Sequence, residues 1–242
     1  MTEAFPFADF VRARDSLERA FTEGLDTYLL LSGETGTGKT ALVRELTKKL
    51  DRYRYRPIYF SHARQLGGAG LIRVLSRILR LSPRRSHPES VQDLVNHLAE
   101  EPHELWILFD EAHELPEETL AEARSLAESD LGGESRLHIL LTGLPSLREK
   151  LQAIPALWRR IVVREELTGL TREELVPFLD HHFTKSTRER FCEDGLALIF
   201  ERGRGIPGLI LPILRSVLTR SRGKGKIHPT QLEDFLERWD LA

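Results

Sequence analysis

The sequence predicts an α/β fold with an all-helical C-terminal part, and three observations predict it. Apolar runs of strand length alternate with helix-periodic segments. A glycine-rich turn joins the first of these runs to the helix after it. The strand pattern stops after Leu167, and only helical segments follow. Near-continuous apolar runs bounded by helices are what a parallel sheet covered on both faces requires. Their alternation with helices is the sequence mark of α/β layering.

The strands come in order. Thr27–Ser32 (TYLLLS) is the first, and Thr40–Leu50 is the helix beyond the glycine-rich turn. Pro57–Ser61 (PIYFS), Leu105–Asp110 (LWILFD) and Leu137–Thr142 (LHILLT) are the next three, and Ile161–Glu165 (IVVRE) is a weaker fifth. Beyond Leu167, Thr171-Arg172-Glu173-Glu174 has the spacing of a capping box. Helical segments are predicted over 171–184, 189–202, 207–222 and 229–240, with Pro177 bending the first. The expected division is an α/β domain over 1–167 and a helical domain over 168–242. There is no internal repeat and no low-complexity stretch, and Arg220–Lys226 is the most loop-like piece.

The 242 residues, 40% hydrophobic and 30% charged, suit a globular chain with a sizeable core. No apolar run reaches the roughly 18 residues that a transmembrane helix needs. The N-terminus, MTEAFPFADF, lacks the basic start and apolar stretch of a signal peptide. Cys192 is the single cysteine, which excludes an intrachain disulfide and a cysteine zinc site. The expectation is a cytoplasmic protein without a membrane partner. Net charge is −2, but its distribution is uneven. Nine arginines and no acid lie between Arg52 and Pro88, fourteen acids and one base between Glu89 and Ser135, and seven bases and no acid between Arg202 and Lys226. Such blocks predict a face suited to an anion, unless folding interleaves them.

Gly33-Glu34-Thr35-Gly36-Thr37-Gly38-Lys39-Thr40 fits G-x-x-x-x-G-K-[ST] in the strand–turn–helix context the motif needs. Glycines permit positive φ and bring backbone N–H groups against phosphate oxygens. The helix N-terminus adds partial positive charge. Lys39 is then the candidate for the β- and γ-phosphates of ATP, and Thr40 for Mg²⁺. Asp110 ends a buried strand, where ligands of parallel sheets bind, and is the second candidate magnesium ligand. Glu111, one residue off the strand, is placed to orient or deprotonate an attacking water. Thr142, ending the fourth strand, is a candidate to bond the γ-phosphate or that water.

GETGTGKT, ILFDEAHEL, HILLTGLPSLREKL, PALWRRIVVREELTGLTREEL and RGIPGLI, in that order, resemble the AAA+ ATPases of the GspA/ExeA type. The relatives include the transposition regulators TniB, TnsC and MuB, and more distantly the Orc1/Cdc6 initiators. The resemblance covers the chain from Phe5 to the last helix. It implies a five-stranded parallel sheet of order 5-1-4-3-2, a small helical lid, Asp110-Glu111 as Walker B and Thr142 as sensor 1. It further implies an arginine finger, Arg160 or alternatively Arg159, that reaches ATP in a neighbouring subunit of a ring or filament. One departure stands out: relatives often carry a sensor 2 arginine after the lid proline, whereas Gly208 follows Pro207 here, leaving Arg204 or Arg202 as substitutes. Asp110-Glu111-Ala112-His113 also matches the DEAH helicases, but those need two such domains and this chain has room for one.

Leu71–Leu81 (LIRVLSRILRL) reads as an amphipathic helix with Arg73, Arg77 and Arg80 on its polar stripe. Such a row either tracks a phosphate backbone or is simply the wet face of a packed helix. In the transposition relatives the preceding loop, here His62–Gly70, touches DNA, which makes Arg64 and Gln65 candidates as well. Three functions compete at this point: an ATPase that assembles on duplex DNA and recruits a transposase, a GspA/ExeA-like ATPase of secretion or envelope assembly, and a nucleotide-gated module with little turnover.

Overall fold

The computed structural model describes residues 4–23, 28–61, 64–82, 84–129, 137–221, 225–230 and 232–233. Thr27, His62, residues 222–224 and most of the helix expected over 229–240 lie outside the described residues. The chain divides into two compact units, one of Ala13–Ser32 with Lys39–Glu166, the other of Met1–Arg12, Gly33–Gly38 and Leu167–Ala242.

The first unit is built on a five-stranded sheet. Its strands are β1 (Tyr28–Gly33), β2 (Tyr55–Phe60), β3 (Glu104–Phe109), β4 (Leu137–Gly143) and β5 (Ile161–Leu167). The sheet is parallel, in the order β2-β3-β4-β1-β5, which is the expected order read from the other edge. Position in the sheet explains the sequence of each strand. β1 and β4 are buried at every residue, and β3 at all but its first. Each therefore reads as a near-continuous apolar run. β2 and β5 lie at the edges and are only partly buried, exposing Tyr59 of β2 and Val162 of β5.

Helices α2 (Lys39–Lys49), α3 (Gly68–Ile78), α4 (His87–Glu100), α5 (Glu117–Glu128), α6 (Ser146–Gln152) and α7 (Pro155–Trp158) connect the strands. Leu71, Ile72 and Leu75 of α3 join Leu94 of α4 and Leu120 and Ala123 of α5 in one buried cluster with the strand side chains. Ser86 and Glu89 form a capping box at the start of α4. That satisfies two of the N–H groups that any helix start leaves open. The last part of helix α1 (Ala8–Glu23) packs Phe21 on the fully buried Trp106, ring centroids 3.8 Å apart.

The expected helix over 71–81 ends early. Leu79 caps α3, Arg80 takes a left-handed φ of 61°, and the Leu81 N–H returns to the Ser76 carbonyl at 2.8 Å. This is a Schellman turn, with Leu81 folded back on the apolar cluster. Arg80 therefore does not continue the row of Arg73 and Arg77.

Among the described residues after Leu170 the second unit holds helices α8 (Leu175–His182), α9 (Lys185–Arg188), α10 (Glu193–Gly203) and α11 (Pro207–Arg220). Phe178, Leu179, Ile199, Ile210 and Leu214 are fully buried in it. Half of the expected capping box forms: the Glu174 carboxylate accepts the Thr171 N–H at 2.8 Å and the Ala8 N–H at 2.6 Å. Residues 172–174 make a turn, so α8 starts at Leu175 rather than at 171. Pro177 then falls in the first turn, where no backbone N–H is needed, instead of bending a longer helix. Among the described residues no helix is long and apolar enough to cross a membrane.

Candidate functional site

The glycine-rich segment leaves β1 at Gly33 and enters α2 at Lys39. Gly36 and Gly38 have φ of 90° and 106°, conformations that only glycine adopts without strain. Thr37 is fully buried, and its hydroxyl donates to the Glu34 carbonyl at 2.8 Å, which locks the loop. Glu34 and Thr35 are exposed. Gly36 has a second neighbour: its carbonyl accepts the Gly208 N–H at 2.9 Å. Helix α11 has no side-chain cap, and this bond satisfies one of its open N–H groups. The approach is close enough that a Cβ on Gly208 would lie 2.6 Å from the Gly36 Cα. The glycine where relatives often carry arginine is thus dictated by backbone packing.

Lys39, at the start of α2, is buried. The other chemistry gathers on Asp110, just past β3. Its Oδ2 accepts the Tyr59 hydroxyl at 2.5 Å and the Thr40 hydroxyl at 2.9 Å. Its Oδ1 accepts the Thr142 hydroxyl at 2.7 Å and the Glu111 N–H at 3.1 Å. Burial pushes the carboxyl up, but the bonds from Tyr59, Thr142, Thr40 and the Glu111 backbone outweigh it and hold Asp110 below the ordinary carboxylate range. Burial, and then the bond to Asp110, pushes the Tyr59 phenol up, so it remains a donor at neutral pH. The Thr40 hydroxyl and the Asp110 carboxylate are hard oxygen ligands in direct contact. They fit Mg²⁺, which takes one or two carboxylates and leaves its other positions to water and phosphate.

Glu111 follows in the left-handed region at φ 54°, ψ 38°. That conformation is costly for a side-chain-bearing residue, and such residues cluster at functional sites. Its carboxylate is half exposed and stands 3.5 Å from His113 Nδ1. The same ring nitrogen faces the Leu144 N–H at 3.4 Å, beside the end of β4. Thr142 is buried, and its hydroxyl bonds Asp110 instead of pointing to solvent.

The two finger candidates differ. Arg160 is paired with Glu128 at 2.7 Å. Arg159 is exposed and has no ion pair among the described residues. Of the basic candidates, Arg64 is exposed and lies 4.0 Å from Glu114. Arg73 and Arg77 are exposed one turn apart on α3, and Arg80 stands beyond its end. Tyr59 and His113 were not singled out by the sequence. The only signal for Tyr59 was a polar-tipped ring near the end of a strand run.

A family model described as "AAA domain" matches residues 23–151. No curated protein matches the chain. Among solved structures, Cdc6p of Pyrobaculum aerophilum is similar with a TM-score of 0.66 at 20% identity, over 89% of this chain and 63% of that one. The Orc2 protein of Aeropyrum pernix, in ADPNP–ADP complexes, gives 0.64 at 15%, over 93% and 66%. The Orc1 protein of the same organism, in complex with DNA, gives 0.64 at 19%, over 98% and 67%. The chain thus spans just under two thirds of the Cdc6p and Orc2 chains. At these identities the likeness is one of fold. With the family model matching more than half of the chain, over the stretch that contains Lys39, Thr40, Asp110 and Thr142, the chain belongs to the AAA domain family.

Proposed function

We propose that this protein is an AAA+ ATPase that binds and hydrolyses ATP with Mg²⁺ and assembles on duplex DNA to recruit a transposase, in the manner of TniB, TnsC and MuB. The observation that carries the nucleotide part is the Thr40–Asp110–Thr142 cluster at adjacent strand tips, directly after a glycine-rich loop. In this reading residues 33–38 wrap the phosphates and Lys39 neutralises their charge. Thr40 and Asp110 would hold magnesium, which would supply positive charge beside the phosphates. Glu111 orients a water and accepts its proton as the water oxygen bonds the γ-phosphorus and the bond to ADP breaks. Thr142 lies where it can exchange its bond to Asp110 for one to the γ-phosphate. Residues 168–242 are read as the helical lid. The finger donated to a neighbouring copy is best assigned to Arg159, since Glu128 already holds Arg160.

The DNA part rests on Arg64, Arg73 and Arg77, exposed in a stretch without acids. Arg80, turned off the helix, is a weaker member of the set. Contacts of this kind read the backbone rather than base edges. Transposase recruitment comes from the resemblance to TniB, TnsC and MuB, and a cytoplasmic location goes with it. The test begins with turnover. Lys39→Ala abolishes ATP binding, while Glu111→Gln keeps binding and loses hydrolysis, because an amide is a poor base. Wild-type hydrolysis by Glu111→Gln overturns the catalytic assignment. A wild-type protein that does not bind duplex DNA at about 50 mM salt, where backbone contacts are strong, overturns the DNA part.

A further inference from the structure

The sequence offers an arginine row on α3, but the fold gathers a different set. A cavity of about 370 Å³ opens between α3 and the segment leading into α4. Arg73 and Arg77 line it from α3, and Arg84 and Arg85 line it from the segment just before the Ser86 cap. Arg80 is not among its lining residues, and neither is any carboxylate. Arg84 is held by Asp93, and His87 at the rim lies 3.4 Å from Glu122. Arg73, Arg77 and Arg85 have no ion pair or side-chain hydrogen bond among the described residues. The hydroxyls of Ser76 and Ser82, also on the wall, have no hydrogen-bond partner there either.

Four guanidinium groups around one cavity repel one another, as do Arg73 and Arg77 one turn apart on a helix. An anion relieves that repulsion and uses donors that are otherwise unmatched. Guanidinium forks fit phosphate oxygens in pairs, and neutral hydroxyls complete such a shell. The volume exceeds what a single anion needs and falls in the range of ligand sites. No phenylalanine, tyrosine or tryptophan is among its lining residues, and its one ring, His87, stands against Glu122, so it offers little platform on which a base could stack. We infer that this α3–α4 cavity is a second phosphate-binding site, separate from the glycine-rich loop, and that it seats the sugar–phosphate backbone of nucleic acid. The choice of nucleic acid as the phosphate source rests on the DNA part of the proposed function; the phosphate site itself does not.

Two arms separate these claims. In the first, duplex binding by the full chain is titrated with salt, for wild type and for Arg73→Ala/Arg77→Ala/Arg85→Ala. Each phosphate that the protein no longer neutralises flattens the log–log slope by about 0.9. Between 50 and 200 mM salt this narrows the fall in affinity about three- to fourfold per phosphate. The corresponding triple lysine variant, which keeps the charges, retains most of the slope, and equal melting temperatures establish that the variants are folded. In the second arm, inorganic tripolyphosphate is titrated into Lys39→Ala protein, where the glycine-rich loop is disabled, and melting is followed. Stabilisation that disappears when the three alanines are added supports the site. If wild type ignores duplex DNA while tripolyphosphate still stabilises in an arginine-dependent way, the phosphate site stands and the DNA reading falls. If the alanine variant keeps both the wild-type salt slope and the tripolyphosphate response, the site is overturned.

Discussion

Replacing Gly208 by alanine tests the contact between α11 and the glycine-rich loop. A methyl group on Gly208 would stand 2.6 Å from the Gly36 Cα and 2.9 Å from its carbonyl oxygen, against the roughly 3.5–4.0 Å of a relaxed carbon contact. Both atoms belong to backbone, so no rotamer change relieves the clash. The reciprocal site is no looser: a Cβ on Gly36 would meet the Gly208 Cα at 3.1 Å and Ile206 Cγ2 at 3.2 Å, and its φ of 90° disfavours any side chain. The start of α11 must therefore move off the loop, stretching the Gly208–Gly36 hydrogen bond. Losing that bond costs about 1 kcal/mol, and overpacking adds about 1–3 kcal/mol. For a chain of this length that corresponds to a melting temperature lower by roughly 4–16 °C. Differential scanning calorimetry reads the shift, and titration with a fluorescent ATP analogue reads the effect on the loop. Gly208→Arg meets the same atoms with its Cβ, so restoring the residue that relatives carry destabilises the protein without raising hydrolysis. A Gly208→Ala protein that melts within about 1 °C of wild type would refute the close approach, since even the lower bound of the packing and hydrogen-bond terms exceeds that.

Three further outcomes follow from the site. Tyr59→Phe removes one donor from Asp110 and destabilises the protein by about 1.5 kcal/mol, the low end for a bond to a charged group because the ring is half exposed. Asp110 is held below its unfolded value, so its contribution is present above the ordinary carboxylate range and lost as pH falls through the folded value. The gap between wild type and Tyr59→Phe in urea melts should therefore close in acid, and a gap unchanged by pH counts against the bond. Glu111→Gly should be more stable than Glu111→Ala by about 1 kcal/mol, reversing the usual order, because only glycine relieves the left-handed backbone; equal melting temperatures would contradict this. Arg159→Ala should remove hydrolysis that rises with protein concentration, by a factor of about 10³ or more for a true finger, whereas Arg160→Ala mainly releases Glu128; the reverse ranking in a concentration series would transfer the assignment to Arg160.

What could be read from sequence depended on how local the cause was. LLLS, LWILF and HILLT are legible because β1, β3 and β4 are buried on both faces, which leaves them apolar except where a polar group is paired, as His138 is with Glu104. Asp110 and Thr142 were legible as polar residues closing such runs. Tyr59 was not, because its meeting with Asp110 depends on β2 pairing beside β3 with Tyr59 opposite Leu108, a register that no local pattern announces. The end of α3 was misplaced because LIRVLSRILRL stays apolar at the right spacing through Leu81. A Schellman turn buries that last leucine just as a continuing helix would, and without glycine at position 80 the turn left no mark. The basic cavity was half legible. Arg73 and Arg77 stood out by periodicity, while Arg84 and Arg85 join them only through the turn back into α4.

Asp110 shows how the sheet order makes the site. In a parallel sheet all strands end on the same side, so each strand beside β3 can bring a side chain to its tip. β4 is one neighbour, and the short Thr142 side chain, in a strand directly alongside, suffices to reach Oδ1. β2 is the other, and its Tyr59 pairs with Leu108, two residues short of Asp110, so only a long side chain spans the offset to Oδ2. Thr40 arrives from α2, which starts where the loop after β1 ends. One carboxylate thus accepts from three hydroxyls carried by three separate elements, and its depressed pKa registers that convergence. Displacing any one of these elements leaves a buried carboxylate short of a donor. The Thr40 hydroxyl, which the proposed chemistry needs at magnesium, and the Thr142 hydroxyl, which it needs at the γ-phosphate, are therefore already oriented by one carboxylate, the other proposed magnesium ligand.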